Sequence, residues 1–300
     1  MKYEKVYVVY HGNCSDGQSS SWSAWKDLGA EAIYIPMSHD FELPDFGTEP
    51  AKIYCLDYAF KREDYDELSK LHDIIIIDHH ASNAKAYASL KNSSHVFDMT
   101  HSGAVLAWKY FHSTEVPEWL LYVEDRDLFL NRLPRTQAFT AAIMNKPKSI
   151  EVYDAISKRS IKDICDEGEL LLEDQRYMIH NILRNHNTWA TITDHDLNVQ
   201  DVPIVNSNVF QSDVAAELNR MYPEAPFAIY YHQEPHNGLI KVGLRNARGY
   251  DVSLVATHYG GGGHPGAAAF HLSQEDFRDK IYIYMAERRD STRPVALTYP

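Results

Sequence analysis

Short apolar blocks, each closed by an acid, an imidazole or a glycine, punctuate the first eighty residues of the chain. Ile74-Ile75-Ile76-Ile77 is an unbroken β-branched run, the pattern of a strand buried on both faces, and it runs straight into Asp78-His79-His80. Val6 to Tyr10 is a similar block that opens into His11-Gly12-Asn13-Cys14-Ser15-Asp16-Gly17, and Lys52 to Leu56 is another that ends in Asp57. Residues 5–10, 31–35, 52–57 and 73–77 are therefore predicted strands, with helices over Asp16 to Leu28 and Lys61 to Leu71 between them. Alternation of this kind implies a mostly parallel sheet with helices on both faces.

Farther along, the pattern turns helical. Ser102 suits the N-cap of a helix through Phe111. Pro117 suits the first turn of the next helix, which carries Trp119, Leu120 and Val123 toward Glu124-Asp125-Arg126-Asp127. Residues 136–146 and 149–158 read as further helices, and Cys165 to about His186 as a helical connector. A strand–helix–strand order then resumes. It predicts a strand over Ile192 to Val205, a helix over Ser212 to Met221 and strands over Phe227 to His232 and Leu239 to Leu244. A short helix over Asp251 to Tyr259, a strand over Ala267 to Leu272 and a last helix over 274–288 follow. The fold class is thus α/β. Residues 1–160 form the first domain, 161–190 the connector and 191–300 a smaller α/β domain, with the cleft between domains as the expected substrate site.

Composition narrows the function more than the fold. An apolar content of 44% is that of a globular protein, and no run of eighteen apolar residues points to a membrane span. Met1 to Lys5 leads directly into a strand, so no signal peptide is expected. Cys14, Cys55 and Cys165 are odd in number and scattered, which argues for a reducing, cytoplasmic setting. The formal charge is −13, and no dense Lys/Arg block supplies the basic stripe that long nucleic acids require. That balance favours a small anionic substrate, and the oligomeric state, a homodimer included, stays open.

Three apolar strands that each deliver His or Asp at the carboxyl end point to a metal site, because ligands gather there in open α/β sheets. Mixed oxygen and imidazole donors suit Mn²⁺, Fe²⁺ or Zn²⁺. A metal pair ~3.5–4 Å apart needs several such ligands. Asp57 ends a buried strand and reads as a ligand, against the alternative of a helix cap. His11 and Asp16 flank a tight loop, where Asp16 also suits a turn or N-cap. The last ligand is expected from the 124–127 cluster, with Asp127 first and Asp125 close behind. Gly260-Gly261-Gly262-Gly263-His264 offers backbone N–H groups free of Cβ atoms. With Arg245, whose planar fork suits phosphate oxygens, it reads as an anion-binding pair of elements. Ser102-Gly103 at a helix start is a further candidate phosphate contact.

With the Asp78-His79-His80 triplet and, about 180 residues later, Gly260 to Ala269 and Arg245, the chain resembles the DHH phosphoesterase family and its accompanying C-terminal substrate-binding domain. The resemblance covers nearly the whole chain in order. It implies that Asp57 bridges two divalent ions, Mn²⁺ first among them, and that His79 binds the second. Asp78 and His80 carry the catalytic duties: Asp78 orients a neighbouring ring, and His80 contacts the phosphate or gives a proton to the leaving oxygen. Arg245, Gly261, Gly262, Gly263 and His264 grip a terminal phosphate, which favours short substrates. The sequence departs from the family's His-x-x-x-Asp-x-Asp pattern in having Asp16 alone. Asn13 is the expected substitute for the missing carboxylate, ahead of Cys14, which would favour a softer ion. The implied activity is a metal-dependent phosphodiesterase that cuts linear dinucleotides such as pGpG, and very short oligoribonucleotides, to mononucleotides. Alternatives are a processive single-strand exonuclease, a non-catalytic nucleotide-binding module and, less favoured, an inorganic pyrophosphatase.

Overall fold

Alternation within the buried runs builds the first sheet. The computed structural model describes residues 3–12, 14–38, 42–90, 95–194, 197–246 and 249–285. The chain forms two compact units, Met1–Leu172 and Glu173–Pro300, with the division inside a long helix. Unit one opens with β1 (Val6–His11), α1 (Ser15–Leu28), β2 (Ile33–Met37), β3 (Lys52–Leu56), α2 (Arg62–Leu68), β4 (Asp73–Asp78), α3 (Ala81–Tyr87) and β5 (Val96–Phe97). These strands pair in parallel in the order β2-β1-β3-β4-β5. Tyr7, Val9, Ile53, Cys55, Ile74 and Ile76 pack on one face against Tyr65 and Tyr87 of α2 and α3. Val8, Tyr10, Leu56, Ile75 and Ile77 point the other way. A strand covered on both sides has no polar face to show, which is why the sequence reads as apolar runs. Register sets Tyr10 beside Leu56 and Leu56 beside Ile77. The residues that follow, His11, Asp57 and Asp78, therefore line up along the carboxyl-end edge of the sheet.

The second face is covered by α1 and by α4 (Gly103–Phe111), whose Leu106 and Ala107 meet the strands. Beyond them lie α5 (Glu118–Asp127), α6 (Thr136–Met144), α7 (Ile150–Ser157) and α8 (Ile161–Leu183). Trp22, Trp108, Trp119, Phe139, Tyr153 and Ile164 form the core of this helical layer. Helix α1 buries Ser19, Ser20, Ser21 and Ser23. Their hydroxyls are satisfied inside the helix, Ser19 donating to the Ser15 carbonyl, Ser20 to that of Asp16 and Ser23 to that of Ser19. Such small side chains allow α4 to approach α1 closely, and that approach brings the α4 N-terminus to Asp16.

Unit two comprises β6 (Thr188–Asp194), β7 (Leu197–Asn206), α9 (Gln211–Met221), β8 (Ala228–Gln233), β9 (Ile240–Arg245), α10 (Val252–His258), β10 (Gly262–His264), β11 (Ala267–Leu272), α11 (Gln274–Lys280) and β12 (Ile281–Met285). The sheet order is β10-β11-β9-β8-β7-β6-β12. Among the described residues, only the β7–β8 pairing of this sheet is parallel. The structure corrects two expectations here. The strand expected over 192–205 is an antiparallel pair, β6 with β7. The helix expected over 274–288 stops at Lys280, because Ile281-Tyr282-Ile283-Tyr284-Met285 pairs along β6 as a strand.

Candidate metal centre

Asp57 sits at the centre of the edge described above. It is 3% exposed and adopts a left-handed backbone with φ 51°, a conformation uncommon for a residue with a Cβ and often met at functional positions. Its two oxygens face different rings: Oδ2 lies 3.4 Å from His11 Nδ1, and Oδ1 lies 3.1 Å from His79 Nε2. The same His79 nitrogen is 3.7 Å from Asp16 Oδ2 and 3.5 Å from Asp127 Oδ2. Three overlapping donor groups result among the described residues, His11 with Cys14 and Asp57, Asp16 with His79 and Asp127, and Asp57 with Asp78, His79 and His80, each with its atoms within 4.8 Å of one another.

The surrounding backbone holds these groups in place. Gly103 and Ala104, at the start of α4, donate their N–H groups to Asp16 at 2.7 and 3.0 Å, an anion on a helix N-terminus. A Cβ on Gly103 would come within 2.6 Å of the Asp57 Cβ and 2.9 Å of Asp16 Oδ2. Gly17 likewise leaves room for the His11 carbonyl, 2.1 Å from where its Cβ would lie. Asp78 is fully buried. It accepts from the His79 and His80 backbone, from Asn83 Nδ2 and, at 2.8 Å, binds His80 Nδ1. It therefore positions His80 and holds the turn, and no side of it is open to a reactant. His80 remains nearly half exposed.

Charge is crowded at this edge. Burial, and then the neighbouring Asp57 and Asp127 charges, push the Asp16 carboxyl well above its usual value. Burial also raises Asp127. Burial would raise Asp57 too, but hydrogen bonds from His11 and His79 outweigh it and hold that carboxyl low. His11 is raised to about 10, first by its bond to Asp57 and then by Cys14. His79 is raised to about 9, the anions beside it overcoming its burial. The hydrogen bond to Asp78 raises His80. Buried carboxylates this close repel one another unless cations lie among them. The mixed carboxylate and imidazole donors are of the kind that hold divalent metal ions.

The four residues of the 124–127 cluster have separate tasks. Asp127 alone of its carboxylates reaches His79. Asp125 is turned away, a correction to its place among the expected ligands. Its oxygens accept from the Arg132 and Leu133 N–H groups and from the Thr136 hydroxyl, so it pins the loop after α5. Glu124 accepts from the Ser102 N–H at 2.9 Å and bonds His101. Arg126 lies over the Phe129 ring. Ser102 is also corrected: its side chain is fully buried and caps α4 by accepting from the Val105 N–H, so it is closed to a substrate. Asn13, the expected substitute ligand, lies outside the described residues, whereas Cys14 stands in the first donor group. Gly103 as a spacer and Asp16 as the anchor of α4 went unread in the sequence. The one available signal was the Ser-Gly pair at a helix start.

A cavity of about 340 Å³ adjoins Asp16 and Asp127, with Val123, Phe129, Ile143 and Met144 as its apolar lining and Arg126 and Lys148 as its cations.

In unit two, Arg245 ends β9 opposite Ala267, and His264 pairs with Ala267 from the other side. Arg245 and His264 thus share one sheet face, two strands or about 10 Å apart. The Arg245 guanidinium donates to Ser212 Oγ at 2.9 Å and lies over Tyr230. The glycines are spent partly on packing: Cβ atoms on Gly261 and Gly263 would strike Ala269 and Ala267 carbonyls. The Gly261 N–H donates to the Ala256 carbonyl, so it is withdrawn from the expected anion cradle. Gly262 faces open space.

The DHHA1 domain model matches residues 199–286, which contain Arg245 and the glycine run. Residues 199–286 thus match a DHHA1 domain, in line with the resemblance of the whole chain to the DHH phosphoesterase family. Among relatives of the chain is an uncharacterised protein of Acanthamoeba polyphaga mimivirus, 25% identical over 284 residues, or 89% of this chain and 67% of that one. Among solved structures, the pGpG-specific phosphodiesterase PggH of Vibrio cholerae aligns with a TM-score of 0.53 at 13% identity, covering 92% of this chain and 96% of that one. That likeness is one of fold. Among the described residues, no helix is long and apolar enough to cross a membrane.

Proposed function

We propose that the chain is a metal-dependent phosphodiesterase for linear dinucleotides and very short oligoribonucleotides. The observation that carries this reading is Asp57, whose two oxygens each face a separate imidazole. Held by His11 and Asp57 on one side and by Asp16, His79 and Asp127 on the other, two divalent ions, Mn²⁺ among them, would lower the pKa of a water and offset charge on the phosphoryl oxygens. Around them the chain's own residues divide the work. Asp16 and Asp127 complete the donor set beside His79. His80, steered by Asp78 and open to solvent, is placed to bind a phosphate oxygen or protonate the leaving oxygen. The cavity beside Asp16, with Phe129 on its rim and Arg126 and Lys148 in its wall, suits an aromatic base with a phosphate attached. In unit two, Arg245 and His264 offer a site for a phosphate. The formal charge of −13 speaks for short ligands, as does the pGpG-specific enzyme among proteins of this fold.

The test is a product assay with Mn²⁺ across pGpG, a long single strand, cyclic dinucleotides, 3′-phosphoadenosine 5′-phosphate and pyrophosphate. Mononucleotides released fastest from pGpG are expected. Faster turnover of the long strand would make the chain a processive exonuclease instead. Asp57→Ala should abolish cleavage, and wild-type turnover in that variant would end the proposal.

A further inference from the structure

Helix α1 begins at a position that the sequence fills unusually. The N-cap residue ordinarily supplies a side-chain oxygen to the first free N–H groups, so Ser, Thr, Asp and Asn are preferred. Here the N-cap is Cys14, with extended backbone angles and no capping bond from its side chain. The thiol is partly exposed and free of any disulfide. It lines the cavity together with Asp16 and Asp127. Its sulfur lies within 4.8 Å of a ligand atom of His11 and of Asp57, which are themselves 3.4 Å apart. An ion held by sulfur at about 2.3 Å and by nitrogen or oxygen at about 2.0–2.2 Å needs donors spaced on that scale. The donor group of Asp16, His79 and Asp127 contains only oxygen and nitrogen.

We propose that the Cys14 thiolate is a metal ligand, completing with His11 and Asp57 one half of the dinuclear centre. This rests on the dinuclear reading above and adds that the two halves differ in kind. The sulfur half takes a borderline ion such as Zn²⁺, Co²⁺ or Fe²⁺, and the Asp16–His79–Asp127 half takes a harder one such as Mn²⁺. Binding displaces the thiol proton to solvent, so sulfur meets the metal as thiolate. Cys55 is fully buried in the sheet and Cys165 is buried in the helical layer.

The experiment is absorption spectroscopy of the full chain, stripped of metal and titrated with Co²⁺. Wild-type protein is expected to show the weak visible bands of bound cobalt and an intense near-ultraviolet sulfur-to-cobalt band. Cys14→Ser should keep the visible bands and lose the sulfur band, while Cys165→Ser keeps both. Serine is a good N-cap, so that variant retains the start of α1. Cys14→Asp should also lose the sulfur band and shift the ratio of Mn²⁺ to Zn²⁺ affinity toward Mn²⁺ by about tenfold or more. Visible bands without a sulfur band in the wild type, or a sulfur band that survives Cys14→Ser, would overturn the assignment of Cys14 and leave the dinuclear centre standing. No cobalt bound at all would overturn both.

Discussion

The donor cluster of unit one and the Arg245–His264 face of unit two are both built at the ends of strands, and they are held very differently. Asp16, Asp57 and Asp78 are each at most 3% exposed, and hydrogen bonds from backbone or imidazole fix every one of them. Arg245 and His264 lie on an accessible sheet face, where Ser212 and the Tyr230 ring steady the guanidinium. A metal centre has to hold donors to within tenths of an ångström, and burial with redundant bonding does that. A phosphate grip can adapt through long side chains, so it tolerates exposure. The first region should therefore fail abruptly under substitution and the second by degrees.

The sharpest contrast within the cluster is between two carboxylates on α5. Asp127→Asn removes a donor and is expected to cut metal-dependent turnover about a thousandfold, the several kcal/mol that a metal ligand supplies. Its thermal stability without metal should hold or rise, because one crowded negative charge has gone. Asp125→Asn should do the reverse. It weakens the pinned loop at a cost of about 1–3 kcal/mol and leaves metal content intact. Melting curves and metal analysis of both variants check this, and equal metal loss in the two would refute the division of roles.

Gly103→Ala is next in size. The added methyl must displace Asp57 or the α4 terminus, since it would lie 2.6 Å from the Asp57 Cβ. A shift near 1 Å at reacting groups costs about a hundredfold. Activity should fall by that order with the fold retained by circular dichroism. A variant with native turnover would show that the cluster is less rigid than its packing indicates.

These two cases also show what the sequence could and could not disclose. Strand ends were legible, because a parallel strand buried on both faces is written as an uninterrupted apolar run, and His11, Asp57 and the Asp78-His79 pair follow such runs directly. Asp125 and Asp127 sit two positions apart on a helix, nearly opposite in azimuth, so spacing separates them but cannot tell which side faces the sheet. The grip of Asp16 on Gly103 spans 87 positions, and no local pattern encodes a backbone contact of that range. In unit two, Ile281 to Met285 is apolar at every position, which fits a buried helix as well as a strand. The pairing with β6 decides it.

Arg245→Ala tests the tolerant region. The loss of one planar phosphate donor should raise KM about tenfold and leave metal content and the cobalt spectrum unchanged. A collapse of kcat as deep as that of Asp127→Asn would erase the contrast between the regions.

The smallest expected effect is a difference in alkaline behaviour between the two units of the metal-free protein. His11 and His79 are raised to about 10 and 9 from an ordinary 6.5. A histidine whose folded pKa is raised adds stability that is complete below 6.5 and fades as pH climbs through the folded value. Unit one without metal should therefore loosen between about pH 7 and 10. His186 of unit two has the opposite sign: burial lowers it, so its contribution is lost on acidification and it gives no alkaline loss. Both cluster rings are partly exposed, and screening keeps the drop in unit one small. Hydrogen exchange resolved by unit, at pH 7 and pH 10, should show faster opening of β1, β3 and β4 than of β8 and β9 at the higher pH. Metal should abolish the difference, because a ligating imidazole is already neutral. Equal alkaline loosening in the two units would mean that the cluster's protons do not help hold the first sheet together.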